Sequence, residues 1–559
     1  MNHPNSHKRS ADILSISRLI FGLLGVFGLI ILYQLHFISP SPVQAQSSPT
    51  IIPTFHSLGI YWQPSGRSSN VTAQVQYRPS GSSTWKSGYP LWFDPNDSQY
   101  RGSLVLLNPG TTYEVKLTLQ DTSTSVTTAA TTWSETFPVG QTISLPENSS
   151  QTLTINNSGT ANGYLLYTHQ SGKTATINTT STNNIKINGS YIIIRGLTLK
   201  NASGDAIRIS NNSHDIVIEN NIVTGWGGSG NSNNMAAAVG TDRPGDSSTG
   251  AGPRIIIQNN TFTTPRGNSN SWDTGHPNGP QGITLWNSSG QNVIRNNTIT
   301  SNGSHHYNDG IGGAKNGGPI GNVYRDSDIY NNRVEYCRDD GLEIEGANIN
   351  VRIWNNRVDK CFVGIATAAN LNGPTYIFRN IITNGRQSDG NDKSAAFKLG
   401  SGSSFGAIYI YHTTVDHVKN GLTGWGGAVY NLTARNNILN TASKSIGSTS
   451  SSSNIYDHNT CSGGFDSGCV SGTVSFESDS FIPTSNIAVD KGIVIPNFNN
   501  NYRGSAPDIG AVERGGSTPT ETPAPSLKQL ITSWLTSTGD RNGDGKVNAI
   551  DFTRLATGN

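Results

Sequence analysis

The chain has 559 residues, of which 34% are hydrophobic and 13% charged, and its formal net charge is +2. Soluble domains carry roughly 45–50% apolar and 25% charged residues, so this composition argues against one large globular core, and the low charge argues against disorder through self-repulsion. The small net charge provides no global field for nucleic acid, whereas 63 glycines and a thin core fit a solenoid.

The first segment, residues 1–45, has the form of a secretory signal. Basic residues precede an apolar run over residues 19–33, and a small-residue site that ends at Ala45 is suited to cleavage. The run is shorter than the roughly 20 residues that span a bilayer. We therefore expect a secreted or cell-surface protein, with contact to a membrane only if this segment is retained as an anchor.

Short alternating runs separated by turns predict a β-sandwich over residues 51–138. A turn at Pro109-Gly110 places Tyr113 in the next strand, where its hydroxyl can bond back to the turn. With Trp62 and Tyr77 as core positions, this pattern resembles the tyrosine corner of fibronectin type III domains. The resemblance implies a spacer or support, and we assign no chemistry to this region.

A repeat dominates residues 141–514. Asn recurs between apolar residues, and Asn332, Asn356 and Asn380 are evenly spaced by a little over twenty positions. Such a period predicts the coils of a parallel β-helix. Asn tolerates left-handed backbone angles at the bend between strands, and stacked Asn side chains can hydrogen-bond along the axis of the solenoid.

Each coil contains a second strand, for example at residues 205–209 and 340–345. Alternation places Leu342 and Ile344 inside the coil and Glu343 and Glu345 outside. Residues 506–513 resemble the closing segment of bacterial right-handed parallel β-helix proteins, a pectate-lyase-like and polygalacturonase-like group. The resemblance implies an all-β fold, but it is loose for function because this fold hosts lyases, hydrolases, adhesins and phage spikes.

The tail consists of a Pro/Thr/Ser linker at residues 515–526 and a segment at 527–559 that pairs a helical run with a calcium-loop pattern. Its oxygen donors and its central Gly follow EF-hand spacing. Asp in the last loop position resembles dockerin modules, which implies a cohesin-type scaffold as a possible partner, although dockerins carry two loops and one is evident here. The predicted Ca²⁺ ligands are Asp540, Asn542, Asp544, Lys546, Asn548 and Asp551.

One coil concentrates outward charge, and we expect the chemistry there. The candidate catalytic residues are Asp309, Asp340, Glu343, Glu345 and Lys398. Glu343 and Glu345 start about 6.7 Å apart on one strand, and like charges raise one pKa, which suits glycoside hydrolysis by paired carboxylates. In the lyase alternative the carboxylates hold Ca²⁺ against a uronate, while Lys398, Lys315 or Arg338 takes the proton.

Other side chains flank this coil. His305 and His306 lie in the preceding loop, and Trp272, Trp286 and Trp425 could stack on sugar rings. The substrate-binding candidates are Arg338, Lys315, His305, His306 and Trp286. The stretch 338–341 resembles the paired aspartates of polygalacturonase-like hydrolases, but the His-Gly and Arg-x-Lys partners of that family do not follow. A purely structural interpretation also stands, because Asp before Gly is common turn chemistry.

The four cysteines form two pairs. Cys461 and Cys469 are expected to close a short loop by a disulfide, while Cys337 and Cys361, one coil apart, are a disulfide or a reduced stack. Together, the sequence predicts an extracellular polysaccharide-active enzyme, hydrolase or lyase. The alternative is a non-catalytic carbohydrate-binding or adhesin-like rod.

Overall fold

The computed structural model describes residues 48–515 except 121, 123, 230–234, 244–249, 313–317, 388–391, 401–403, 448, 450 and 466. The predicted signal segment, nearly all of the linker and the predicted calcium-loop tail therefore lie outside the described residues. Within the described part, no helix has the length and apolar character needed to cross a bilayer.

The N-terminal region is built from two four-stranded antiparallel sheets, ordered β1-β2-β6-β5 and β4-β3-β7-β8, which share one apolar core. Trp62, Tyr77 and Tyr113 are all buried in it. The Tyr113 hydroxyl accepts a hydrogen bond from the Asn108 amide at 2.9 Å, as the tyrosine corner requires. Membership of the fibronectin type III family stays a prediction. The strands are β1 (Thr50–Pro53), β2 (Leu58–Trp62), β3 (Ala73–Pro79), β4 (Lys86–Ser87), β5 (Trp92–Asp94), β6 (Gln99–Leu104), β7 (Thr112–Leu119) and β8 (Ser125–Thr131).

The remainder is a parallel β-helix, as predicted, in which each coil contributes strands to three parallel sheets. Sheet I comprises β9 (Val139–Leu145), β12 (Tyr164–His169), β15 (Ile192–Arg195), β18 (Ile216–Glu219), β21 (Ile255–Gln258), β24 (Val293–Arg295), β27 (Asp328–Tyr330), β30 (Val351–Trp354), β33 (Thr375–Phe378), β36 (Ile408–Tyr411), β38 (Leu432–Arg435) and β40 (Ile455–Asp457).

Sheets II and III follow sheet I within each coil. Sheet II comprises β10 (Asn148–Ser149), β13 (Ala175–Asn178), β16 (Leu197–Lys200), β19 (Ile222–Thr224), β22 (Thr261–Thr263), β25 (Thr298–Thr300), β28 (Arg333–Glu335), β31 (Arg357–Asp359), β34 (Ile381–Thr383), β37 (Thr414–Thr423), β39 (Ile438–Ile446), β41 (Asn459–Cys461) and β42 (Cys469–Ser471). Sheet III comprises β11 (Leu153–Ile155), β14 (Ile185–Ile187), β17 (Ile207–Ile209), β20 (Ala237–Thr241), β23 (Gln281–Thr284), β26 (Ile311–Gly312), β29 (Asp340–Glu343), β32 (Val363–Ala366) and β35 (Ala395–Lys398), and it continues into the long β37. Two short 3₁₀ helices span Trp272–Thr274 and Ser478–Ser480.

The Asn repeat works at the bend between sheets I and II. The first Asn of a pair adopts the left-handed conformation, as at Asn331 and Asn355 with φ of 55° and 53°. The second is buried and bonds along the axis, because Asn332 Nδ2 and N both donate to Asn356 Oδ1 at 3.0 Å. The same contacts join Asn356 to Asn380. The predicted ladder is therefore present. The first Asn of each pair makes the left-handed bend, and the second makes the hydrogen bonds along the axis.

The outer face of sheet I is covered. Aromatic residues stack along it, as Trp354 does between Tyr330 at 4.1 Å and Phe378 at 5.6 Å between ring centroids. Phe55 of the sandwich and Phe498 of the closing segment pack into the same cluster. Aromatic packing therefore covers much of this face.

The cysteine pairs differ in state. Cys461 and Cys469 form a disulfide with Cα atoms 5.7 Å apart. Cys337 and Cys361 are free, buried thiols in the interior of the β-helix. The reduced-stack alternative is thus the one found for the second pair.

Candidate active site

The register of sheet III brings Lys398 back to the charged coil. Glu343 pairs with Ala366 of the next strand, and Ala366 pairs with Lys398 of the one after. Because the intervening side chain is only a methyl group, the lysine can extend across it. Lys398 Nζ lies 2.8 Å from Asp340 Oδ2 and 3.2 Å from Glu345 Oε1.

Carboxyl groups converge at this point. One ligand oxygen each from Asp340, Glu343 and Glu345 lies within 4.8 Å of the others, a spacing that could hold a metal ion. Asp309 and Asp339 adjoin them: besides burial, the charges of Glu343 and Asp340 raise the pKa of Asp309, and those of Asp340 and Asp309 raise the pKa of Asp339. We call these five residues, Asp309, Asp339, Asp340, Glu343 and Glu345, the acid cluster. Lys398 is the basic group that the described ion pairs bring to it.

Small residues on either side of Glu343 make room for the acid cluster. A Cβ added to Gly312, on the preceding strand, would stand 2.5 Å from Glu343 Cβ. Ala366 follows on the next strand. The sequence around Glu343 therefore keeps its two neighbours along the axis at minimal size.

The aspartates that precede sheet III strands fall into two classes. Asp205 Oδ1 accepts the Ala237 amide at 2.7 Å, and Asp309 Oδ1 accepts the Asp340 amide at 3.0 Å, so each bonds to the backbone of the next coil. This is the structural role expected of turn aspartates. Asp340 departs from it, because its Oδ2 accepts a hydrogen bond from Lys398 and its Oδ1 has no hydrogen-bond donor.

Burial dominates the electrostatics of the acid cluster. It raises the pKa of Asp309 and Asp339 well above the usual carboxyl range, with the neighbouring carboxylates adding to the effect. It also raises the pKa of Glu345 to about 8, although Lys398 opposes the shift. For Lys398, burial lowers the pKa and four carboxylates raise it, and the carboxylates prevail. The charge of the acid cluster thus sets the protonation of the lysine.

One sequence expectation is wrong. Alternation placed Glu345 on the outer side of the coil with Glu343, and its Oε1 meets Lys398 there at 3.2 Å, but its side chain is 0% exposed and lines no open face. The alternation itself continues through Ile344, which is buried in the core, so neighbouring side chains cover Glu345. Glu343 itself keeps 9% exposure.

A wall loop, residues 265–280, runs beside the acid cluster across several coils. Trp272 Nε1 donates to Asp339 Oδ1 at 3.1 Å. Farther along, Gln387 Nε2 donates to Asp273 Oδ1 at 2.6 Å. The wall loop connects β22 to β23 in sequence, but it extends along the solenoid and contacts the coils that contain β29 and β34.

The two candidate histidines hold this loop. One ring nitrogen of His305 lies 3.2 Å from the Gly267 carbonyl oxygen, and one of His306 lies 3.0 Å from Asn268 Oδ1. Burial, with Arg338 and His305 nearby, lowers the pKa of His306 to about 4. Their contacts are with the wall loop, which gives them a supporting position.

The remaining candidates are spread out. Arg338 is half-buried, and burial lowers its pKa while Asp273 raises it. Trp286 lies two coils before Glu343, with the Arg243 guanidinium 5.6 Å from its ring centroid. Lys315 and the six predicted tail ligands lie outside the described residues.

The candidate set missed residues that the structure brings in. Asp339 stands next to Asp340 and was within the charged stretch, so proximity alone could have selected it. Gln281 and Asn308 both donate to Asp309 Oδ2, at 2.9 and 2.8 Å. Asn308 is adjacent to Asp309 in sequence, whereas Gln281 and Ala366 are revealed by the strand register.

Comparison with known proteins gives weak likeness only. No family model and no curated protein matches. Among solved structures, pectate lyase Pel9A aligns at 15% identity and TM-score 0.34, over 67% of this chain and 86% of its own. XylC with xylose aligns at 10% and 0.26, over 72% and 58%, and the catalytic domain of a GH87 alpha-1,3-glucanase at 12% and 0.21, over 70% and 96%. The fold assignment therefore rests on the strand pairing itself.

Proposed function

We propose that this protein is an extracellular polysaccharide lyase that cleaves a uronate-containing chain, with a calcium ion in the acid cluster and Lys398 as the base. The observation that carries the proposal is the Asp340 carboxylate, which is turned from the backbone towards Lys398 while Asp205 and Asp309 keep their backbone bonds. The predicted export, the tail calcium loop and a cohesin-type partner stay predictions from sequence.

The residues present fit a hard cation. Asp340 Oδ1 and Glu345 Oε2 are buried without a hydrogen-bond donor, and carboxylate oxygens are what Ca²⁺ prefers. Five carboxyl groups face one ammonium group, and buried charges are normally paired or bound to a metal. With all five carboxyl groups ionised, a divalent ion would offset half of the excess negative charge and, when bound, would neutralise the carboxylate of a substrate uronate.

Lys398 is placed to take a proton. In β-elimination from a uronate, the base removes the proton from C5, the C4–O glycosidic bond breaks, and a C4–C5 double bond forms as the leaving oxygen gains a proton. Lys398 can accept the C5 proton only when it is neutral. Because the carboxylates outweigh burial in its pKa, any neutralisation of the acid cluster lowers that pKa towards the working range of a base.

Hydrolysis by paired carboxylates, the other sequence expectation, fits less well. A glycosidase needs two carboxyl groups that flank the scissile bond, with space for sugar or water between them. Here Glu345 is fully buried and paired with Lys398, and the oxygens of Asp340, Glu343 and Glu345 are gathered within 4.8 Å. The three carboxyl groups converge on one point, whereas a glycosidase needs two carboxyl groups on opposite sides of a glycosidic bond.

The test compares wild type with Lys398→Arg. Arginine keeps the positive charge beside Asp340 but cannot be deprotonated, so calcium binding should persist while lyase activity falls about a hundred- to ten-thousand-fold. Activity is followed by the ultraviolet absorbance of unsaturated products from polygalacturonate and alginate, and calcium binding by titration calorimetry after chelator treatment.

A control separates the rival functions. New reducing ends without unsaturated products would replace the lyase proposal with hydrolysis, and binding without any cleavage would leave the rod-like binder. Full activity in Lys398→Arg would remove the lysine from the mechanism. Lys419→Arg, a change on a half-exposed lysine later in the β-helix, should have no effect.

A further inference from the structure

Three aromatic side chains adjoin the acid cluster on its C-terminal side. Trp272 and Phe362 have ring centroids 6.0 Å apart, and Phe362 and Trp425 have centroids 5.8 Å apart with nearly perpendicular planes. Together they form an aromatic shelf, defined here as Trp272, Phe362 and Trp425.

The aromatic shelf is continuous with the acid cluster. Trp272 donates from Nε1 to Asp339 Oδ1, so its ring begins where the carboxyl groups end. Phe362 immediately precedes β32, one coil beyond Glu343. Trp425 follows β37, whose Thr423 pairs with Lys398. The shelf therefore extends along the solenoid axis from the site of proposed chemistry.

Trp425 is the member of the aromatic shelf that reaches the surface. It is 36% exposed and among the exposed large hydrophobic residues. Its φ of 43° lies in the left-handed region, which this chain uses at many bends between strands. The exposed ring leaves apolar surface that a ligand could cover.

We infer that the aromatic shelf is a sugar-binding subsite, in which Trp425 stacks on one pyranose ring of the polysaccharide that crosses the acid cluster. A pyranose ring has an apolar C–H face, which matches the exposed face of an indole. The inference rests on the proposed function, since it takes the same chain as ligand. Phe362 and Trp272 position Trp425 and close the side of the subsite.

A second exposed aromatic pair serves as matched control. Phe405 is 54% exposed and stacks on Tyr430 with centroids 5.3 Å apart. It lies at the bend after sheet III, where Ser404 bridges Val429, and its described ring contact is with Tyr430. Replacing Phe405 should therefore leave the affinity for the polysaccharide unchanged.

The experiment measures both binding and kinetics for Trp425→Ala, Trp425→Phe and Phe405→Ala. In a Lys398→Arg background, Trp425→Ala should raise the Kd for oligogalacturonate or oligomannuronate about tenfold by calorimetry, with partial recovery in Trp425→Phe and no change in Phe405→Ala. In the otherwise wild-type enzyme, Trp425→Ala should raise KM and leave kcat nearly unchanged.

The outcomes separate the two proposals. The subsite would be overturned if Trp425→Ala left Kd and KM unchanged, or if Phe405→Ala weakened binding as much as Trp425→Ala does. It would also be overturned if neither oligosaccharide bound. If wild type fails to cleave yet Trp425→Ala still weakens binding, the subsite holds and the lyase proposal falls. Circular dichroism of each variant confirms that the coils remain folded.

Discussion

Two charged groups on sheet III occupy the same columns of the β-helix but differ in balance. Near the N-terminal end, Arg208 pairs with Asp205 and, through Nε at 2.8 Å, with Asp242. Four strands farther along sheet III, the acid cluster gathers five carboxyl groups around Lys398. The first group satisfies its own charges, whereas in the second the carboxyl groups outnumber the one lysine, and burial raises the pKa of Asp309, Asp339 and Glu345.

The contrast shows which charges are structural. Asp205 is tied both to Arg208 and to the Ala237 amide. Asp340 has a single described partner and one buried oxygen without a donor. Residues of the same type at equivalent positions therefore carry different roles, and the difference lies in their partners.

The largest expected effect comes from removing the cation of each group. Lys398→Met leaves buried carboxylates unpaired and should lower the free energy of unfolding by about 3–5 kcal/mol near neutral pH without calcium. Arg208→Met, on a partly exposed pair, should lower it by about 1 kcal/mol or less. Denaturant titrations of both variants measure the free energy of unfolding. Equal decreases in the two variants would show that the two charged groups do not differ in the way proposed.

The pH dependence of stability is the next effect in size. Glu345 has a pKa of about 8 in the folded protein and an ordinary value of 4.5, so between these pH values the folded state holds an extra proton. The free energy of unfolding should therefore fall as the pH rises through this window, by up to about 1.4 kcal/mol per pH unit. The raised pKa values of Asp309 and Asp339 act in the same direction.

Chelator-treated protein unfolded at several pH values provides the measurement. Calcium should flatten the slope because a cation replaces the bound protons, and Glu345→Gln should reduce it. A free energy of unfolding that does not change with pH in the absence of calcium would contradict the raised pKa of the acid cluster.

The smallest effect is expected at Asp205. Asp205→Asn keeps an oxygen for the Ala237 amide and loses only the charge that faces Arg208, so stability should change by about 1 kcal/mol or less. Calcium affinity should not change. Asp340→Asn, the counterpart, should weaken calcium binding at least about tenfold, and calorimetry distinguishes the two.

Much of the fold could be predicted because it repeats. The Asn spacing predicted the coils and the axial ladder, and Lys398 was among the sequence candidates that the register then placed in one column with Glu343. The burial of Glu345 was missed because alternation predicts the side of the coil that a residue faces and does not predict which side chains cover it. Ala366 and the wall loop were not anticipated, since a loop that leaves between β22 and β23 and returns to Asp339 has no local signal in sequence.

The contact from Trp272 to Asp339 has a thermodynamic consequence. If the wall loop opens locally, Asp339 loses a donor, and if the acid cluster changes charge, the loop loses an acceptor. By linkage, a ligand that favours the closed loop must be bound more tightly when the loop is closed, and by the same factor it must lower the equilibrium constant for opening. Amide hydrogen exchange within residues 265–280 is then a reporter of occupancy at the carboxyl groups, without any need to observe catalysis.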